Sequence, residues 1–131
     1  MKKLILLLHI CLLPMCVSCQ TEQAFKSVDV AEFEKVIADT SYVLLDVRTA
    51  TEYAEGHIPG THFNIDVLQE SFESEALRVL RKKKKVALYC RSGNRSKNAA
   101  RILSEKGLQV VELSTGCKGW KVAGKPTKAT P

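Results

Sequence analysis

Two short apolar runs, Tyr42-Val43-Leu44-Leu45 ending at Asp46 and Val86-Ala87-Leu88-Tyr89 ending at Cys90, constrain this chain most. Apolarity without alternation marks a strand covered on both faces, as in a parallel sheet. Parallel neighbours need long crossovers, usually helical, and helical spacing recurs around these runs. Asp29-Val30-Ala31-Glu32 reads as a capping box opening a helix whose Val30, Phe33, Val36 and Ile37 share a face up to Asp39. Thr51 to Glu55 predicts a short helix stopped by Gly56, and Gly56-His57-Ile58-Pro59-Gly60 is a turn by composition. His62 to Ile65 reads as a short strand. Phe72, Ala76, Leu77 and Leu80 predict an amphipathic helix over about Gln69 to Arg81, its end complemented by Lys82 to Lys85. A third helix spans Ser96 to Lys106, with Gly107 in the C-cap position. Gln109 to Leu113 is a further strand, Gly116 to Val122 a last turn or short helix, and Pro126 onward a loose tail. The expected fold is α/β, a mainly parallel central sheet flanked by helices. With 131 residues, there is material for one domain. A chain 45% hydrophobic and 26% charged is neither a disordered polyelectrolyte, a collagen-like repeat nor a multi-span membrane protein.

The amino terminus has a different logic. Lys2 and Lys3 precede the apolar stretch Leu4 to Leu13, broken only by His9 and followed by Pro14. This is the n-region and h-region of a secretory signal peptide, residues 1–18, and it is shorter than the roughly 20 residues of a membrane span. Met15-Cys16-Val17-Ser18-Cys19 resembles a bacterial lipobox, in which Cys19 would become the first mature residue and carry the lipid. Cys16 departs from that pattern, which usually has Leu there. A soluble periplasmic protein cut near Ser18, or an uncleaved anchor, are the other readings. All three place the domain in the bacterial cell envelope, on the periplasmic side, with a membrane partner through the lipid anchor in the first. Residues 19–26 then form a tether, 27–124 the domain and 125–131 the tail.

Lys and Arg outnumber Asp and Glu 20 to 14, for a net charge of +6. The excess is patchy, since Lys2, Lys3 and the run Lys82 to Lys85 supply much of it. A solvated helix end accounts for that run, so no nucleic-acid partner is expected. Of 5 cysteines, Cys11 and Cys16 would leave with the signal and Cys19 would carry lipid, which leaves Cys90 and Cys117. Two thiols form at most one bridge, not a disulfide framework.

The chemistry concentrates in Cys90-Arg91-Ser92-Gly93-Asn94-Arg95-Ser96, between a strand and a helix. A strand feeding a small-residue loop into a helix N-terminus aims successive amides at one point and builds an anion nest. Such a cradle, with Arg91 and Arg95 nearby, favours the Cys90 thiolate over the ordinary thiol pKa of about 8.5. Gly93 permits a tight curl, Asn94 tolerates positive φ, and the Ser92 and Ser96 hydroxyls can reach the sulfur or an incoming anion.

This loop resembles the active-site loop of rhodanese-type sulfurtransferases. Asp46-Val47-Arg48, Gly56-His57-Ile58-Pro59-Gly60, the Tyr89-Cys90 strand end and Gly116-Cys117-Lys118-Gly119-Trp120 resemble rhodanese signatures in the same order, covering roughly Ser27 to Val122. The resemblance implies a rhodanese-like fold and a persulfide cycle: Cys90 takes a sulfane sulfur from an anionic donor such as thiosulfate and passes it to cyanide, a thiol or a protein acceptor. It implies that Arg91, Ser92, Gly93, Asn94, Arg95 and Ser96 hold donor and persulfide, and that Asp46 and Arg48 form an internal ion pair bracing the site. Cysteine phosphatases of this architecture have five residues between Cys and Arg, whereas here four separate Cys90 from Arg95. The smaller ring suits one sulfur atom. The loop also lacks the small, uncharged, Thr-containing pattern that resembles mercaptopyruvate sulfurtransferases, which points to thiosulfate or a general persulfide donor.

Three residues carry alternatives. His57 could be a general base, but its Gly, Ile-Pro-Gly setting suits a turn histidine bonded to backbone. With 3 scattered histidines, one of them in the signal, neither a metal set nor a cofactor is expected. Trp120 reads as core. Cys117 stands where the family pattern usually has Gly; it could resolve an oxidised or persulfidated Cys90 as a disulfide, or simply fill a small slot. Besides the enzyme, the chain could thus be an envelope-tethered persulfide carrier with little turnover, or a dithiol redox protein using Cys90 and Cys117.

Overall fold

The computed structural model describes residues 24–80, 82, 83 and 85–131. The signal peptide, Cys19, most of the tether, Arg81 and Lys84 lie outside the described residues. Those described form, in order, β1 (Lys26–Val28), α1 (Val30–Ala38), β2 (Val43–Asp46), α2 (Ala50–Glu55), β3 (Phe63–Asn64), α3 (Phe72–Leu80), β4 (Lys85–Tyr89), α4 (Asn94–Glu105), β5 (Gln109–Leu113) and α5 (Gly116–Val122). All ladders are parallel, and the strand order is β1-β5-β4-β2-β3.

Local sequence explains the helix starts. Asp29 caps α1 by accepting from the Glu32 amide at 2.9 Å, which is the Asp29 half of the expected box. At α2 the reciprocal box is complete: Thr49 Oγ1 accepts from the Glu52 amide at 3.2 Å while Glu52 Oε2 accepts from the Thr49 amide at 3.1 Å.

Helices α3 and α4 cover one face of the sheet, where Phe72, Ala76, Leu80, Ala99, Ala100 and Leu103 pack against Leu45, Val86 and Leu88. Helices α1 and α5 cover the other, where Phe33, Cys117 and Trp120 meet Leu44, Ala87 and Tyr89. The period of two along β4 thus assigns successive residues to opposite cores. Phe33 and Trp120 meet edge to face at 6.5 Å, and truncating a buried aromatic of this kind costs about 3–5 kcal/mol.

The topology also positions the site. Chain leaving β2 turns to β3 on one side, and chain leaving β4 turns to β5 on the other, so a crevice opens beyond the carboxyl ends of β2 and β4. Asp46 and Tyr89 are register partners there.

The structure corrects several expectations. Lys26, read as the last residue of a tether, opens a strand, Lys26–Val28, paired with Val111, Glu112 and Leu113. Helix α3 starts at Phe72 rather than Gln69, and α4 starts at Asn94 rather than Ser96. Lys85 opens β4 instead of closing a helix. The tail is not loose: the Trp120 indole donates to the Pro126 carbonyl at 2.8 Å, and His57 and Lys128 exchange backbone hydrogen bonds of 3.0 and 2.9 Å. No helix among the described residues is long and apolar enough to cross a membrane.

Candidate active site

Cys90 follows β4 directly and is 1% exposed. Gly93, at φ 105°, turns the chain into α4, and a Cβ there would lie 2.1 Å from the Ser114 carbonyl oxygen. Only glycine fits this approach. The turn brings the Gly93 amide to 3.1 Å from Cys90 Sγ, and the thiol points at Ser96 Oγ, 3.4 Å away. Burial pushes the Cys90 pKa up, but the Ser96 hydroxyl and the Ser96, Gly93 and Ser92 amides outweigh it, leaving the pKa below that of an ordinary thiol. The sulfur therefore sits at the focus of a helix N-terminus and a ring of amides, equipped to carry negative charge.

The other loop residues have distinct places. Gly93 supplies the positive φ that Asn94 was expected to tolerate; among the described residues no other type than glycine adopts it. Ser92 is exposed and contributes its amide, whereas Ser96 is buried and contributes its hydroxyl as well. Arg91 is exposed beside a cleft of about 370 Å³ that it shares with Glu55, Cys117, Lys118 and Lys121. Arg95 grips Glu52 through two bonds of 2.8 Å, an arrangement that ties α4 to α2. That guanidinium, helped by the Thr49 cap and opposed by partial burial, brings Glu52 down to about 2.

Beneath the loop, Asp46 and Arg48 form a buried bidentate pair, closest at 2.6 Å, and Arg48 Nη2 also donates to the Gly56 carbonyl at 2.8 Å. Burial opposes the Arg48 charge, but Asp46 outweighs it and raises the Arg48 pKa. The internal ion pair that the resemblance implied is present. His57 Nδ1 lies 3.0 Å from the Tyr53 carbonyl, its ring stacked on Tyr53 at 3.9 Å, as a turn histidine would be. The Tyr89 hydroxyl takes the Ile58 amide at 3.0 Å and pairs with Thr61 at 2.9 Å, fastening the same turn to β4.

Cys117 is 1% exposed, and burial raises its pKa despite Arg48 and Lys121. Its amide donates to the Cys90 carbonyl at 2.8 Å and that of Lys118 to the Arg91 carbonyl at 2.9 Å. These bonds seat α5 on the loop, and Gly116, whose Cβ would lie 2.3 Å from the Arg91 carbonyl oxygen, permits the contact. The two thiols are free and belong to different cores. Among the described residues no group of His, Cys, Asp and Glu could hold a metal ion. Sequence reasoning missed Glu52, Lys97 and Glu112. The last left a signal, a carboxylate inside the apolar run of β5, where it is wholly buried against Ser96.

This chemistry and fold define a class of cysteine-loop α/β domain, and the comparisons agree. Residues 29–123 match the family described as Rhodanese-like domain, and the chain belongs to that family. It is 36% identical over 106 residues to a sulfurtransferase of Allochromatium vinosum, covering 78% of this chain and 94% of the relative. To the thiosulfate sulfurtransferase GlpE of Pseudoalteromonas translucida it is 27% identical over 103 residues, covering 76% and 92%. The crystal structure of a rhodanese-related protein from Thermoplasma volcanium superposes with a TM-score of 0.68 at 33% identity, covering 79% of this chain and 98% of that one. These relatives support sulfur transfer as the general activity.

Proposed function

We propose that this protein moves a sulfane sulfur from thiosulfate, or a related persulfide donor, to a thiophilic acceptor through a Cys90 persulfide. The observation that carries it is Cys90 Sγ held 3.1 Å from the Gly93 amide at the head of α4. The Cys90 thiolate attacks the outer sulfur of thiosulfate, the S–S bond breaks, and sulfite leaves with the bonding pair. Cyanide or a thiolate then attacks the outer sulfur of Cys90–S–S⁻, giving thiocyanate or a new persulfide and restoring the thiolate. Arg91, with Lys118 and Lys121 on the same cleft, would attract the anionic donor. Arg95, spent on Glu52, would shape the loop instead.

The test is steady-state thiocyanate production from thiosulfate and cyanide by the full chain beside Cys90→Ser and Cys117→Ser. Turnover abolished only by Cys90→Ser supports the reading; absent turnover with Cys90 still accepting one sulfur would favour the carrier.

The amino-terminal pattern supports placement in the bacterial envelope with a lipid on Cys19. Membrane fractionation of cells expressing the full chain tests it: Cys19→Ser should move the protein to the soluble fraction, and an unchanged membrane association would count against the lipid.

A further inference from the structure

Glu112 is wholly buried on β5, and the sulfur cycle above gives it no task. Its register partner is Leu88, so its side chain shares the sheet face of Leu88 and of Cys90 two residues later. Its two oxygens have different company. Oε1 takes the Ser27 hydroxyl from β1 and lies 3.1 Å from Lys97 Nζ of α4. Oε2 takes the Ser96 hydroxyl at 2.7 Å.

Ser96 has one hydroxyl proton and three acceptors around it: Glu112 Oε2 at 2.7 Å, the Gly93 carbonyl at 3.0 Å and Cys90 Sγ at 3.4 Å. A short bond to a charged acceptor is the strongest of these, so in the resting protein the proton goes to Glu112 and Ser96 Oγ accepts from the Cys90 thiol. That arrangement suits a thiol. A thiolate draws on the same hydroxyl, which with the amides lowers the Cys90 pKa, but it must compete with Glu112 for the one proton and so gains only part of that help. A persulfide moves the formal charge from Sγ to the outer sulfur, and the demand on Ser96 lapses.

The geometry points to Glu112 as a positioning residue for the sulfur cycle: by holding the Ser96 hydroxyl proton away from Cys90 Sγ, it leaves the free thiolate less well solvated than the persulfide and favours sulfur uptake. A less stabilised thiolate is also the stronger nucleophile. The consequence for turnover rests on the sulfurtransferase reading; the competition for the proton does not. The charged groups around this pair are Lys97 and Arg95 of α4, the latter engaged with Glu52 of α2, and Glu112 of β5, while β1 supplies the neutral Ser27.

Glu112→Gln makes the competition measurable. Oε1 faces two donors, the Ser27 hydroxyl and the Lys97 ammonium, the latter also reaching the Gly93 carbonyl at 3.3 Å, so the amide oxygen takes the Oε1 place and the NH₂ faces Ser96. Ser96 then accepts from the amide, and its own proton turns to the sulfur. In the full chain, iodoacetamide labelling of the Cys90 peptide, followed against pH by mass spectrometry, should show a lower midpoint in Glu112→Gln and, below that midpoint, a rate about threefold or more above wild type. In a Ser96→Ala background the same substitution should change little. An unmoved or raised midpoint overturns the proposal, and so does an equal shift without Ser96, which would mean bare charge acting through space. If Glu112→Gln does not fold cooperatively, Lys97→Gln serves: it strengthens the pull of Glu112 on Ser96, so labelling below the midpoint should slow about threefold with Ser96 present and not without it. Failure of thiosulfate to load sulfur onto Cys90, with these shifts intact, would sink the sulfurtransferase reading alone.

Discussion

Cys90 and Cys117 are joined by a backbone hydrogen bond of 2.8 Å, yet their side chains lie in separate cores on opposite faces of the sheet. Each is 1% exposed. With the side chains directed into different cores, a bridge between them would need backbone movement at the seat that Gly116 makes possible. Mild oxidation of the full chain should therefore leave the Cys90 and Cys117 peptides unlinked, and Cys117→Ala should keep thiocyanate production within about twofold of wild type, volume lost in the core being the main effect. A Cys90–Cys117 disulfide in the digest would restore the dithiol alternative.

The Cys90 pKa lies below that of an ordinary thiol because Ser96 and the Ser92, Gly93 and Ser96 amides outweigh burial. In the interval between the folded and unfolded values the unfolded chain holds the extra proton, so stability rises with pH there, is fully gained above the unfolded value and is lost as pH falls through the folded one. Urea unfolding of wild type and Cys90→Ser should diverge in favour of wild type as pH climbs through that interval. Cys117, raised by burial, has the opposite sign. It resists ionising in the fold, and Cys117→Ala should relieve a loss of stability at still higher pH.

Arg48 is 4% exposed and spends its charge on Asp46 and the Gly56 carbonyl. Asp46→Asn removes the anion and leaves the cation buried, a change that costs about 3–5 kcal/mol. Thermal or urea unfolding measures it, and turnover should fall with the fraction folded rather than through altered chemistry. A loss below about 1 kcal/mol would contradict the bracing role.

Gly93 is both the αL joint of the loop and its closest approach to Ser114. Gly93→Ala should cost at least about 1–3 kcal/mol in backbone strain and move its amide away from the sulfur. Cys90 labelling at neutral pH should slow accordingly, and unchanged labelling in a folded variant would show that the amide does not set sulfur reactivity.

Much of this was legible because local patterns carried it. Val43 to Leu45 and Val86 to Tyr89 are buried strands on apolarity alone, the Gln109–Leu113 strand was read to the residue, and the Cys90 loop declared itself through spacing. What stayed hidden was nonlocal. Lys26-Ser27-Val28 carries no strand pattern, and Lys26 looks like the end of a tether, until β5 gives their backbone a partner. The tail looks loose until Trp120 and His57 offer it hydrogen bonds. Arg95 reads as a free cation because its partner, Glu52, lies 43 residues away in sequence. Glu112 sits inside an apolar strand, and only the packing of α4 and β1 shows that its charge is answered by Lys97, Ser96 and Ser27.

The most direct measurement is the intact mass of the full chain after brief treatment with thiosulfate, with peptide mapping to locate any gain. The expected result is one added sulfur atom on Cys90, absent in Cys90→Ser and removed by cyanide with release of thiocyanate. A chain whose Cys90 stays unmodified, or whose added sulfur sits elsewhere and survives Cys90→Ser, would contradict a persulfide on Cys90 as the centre of its function.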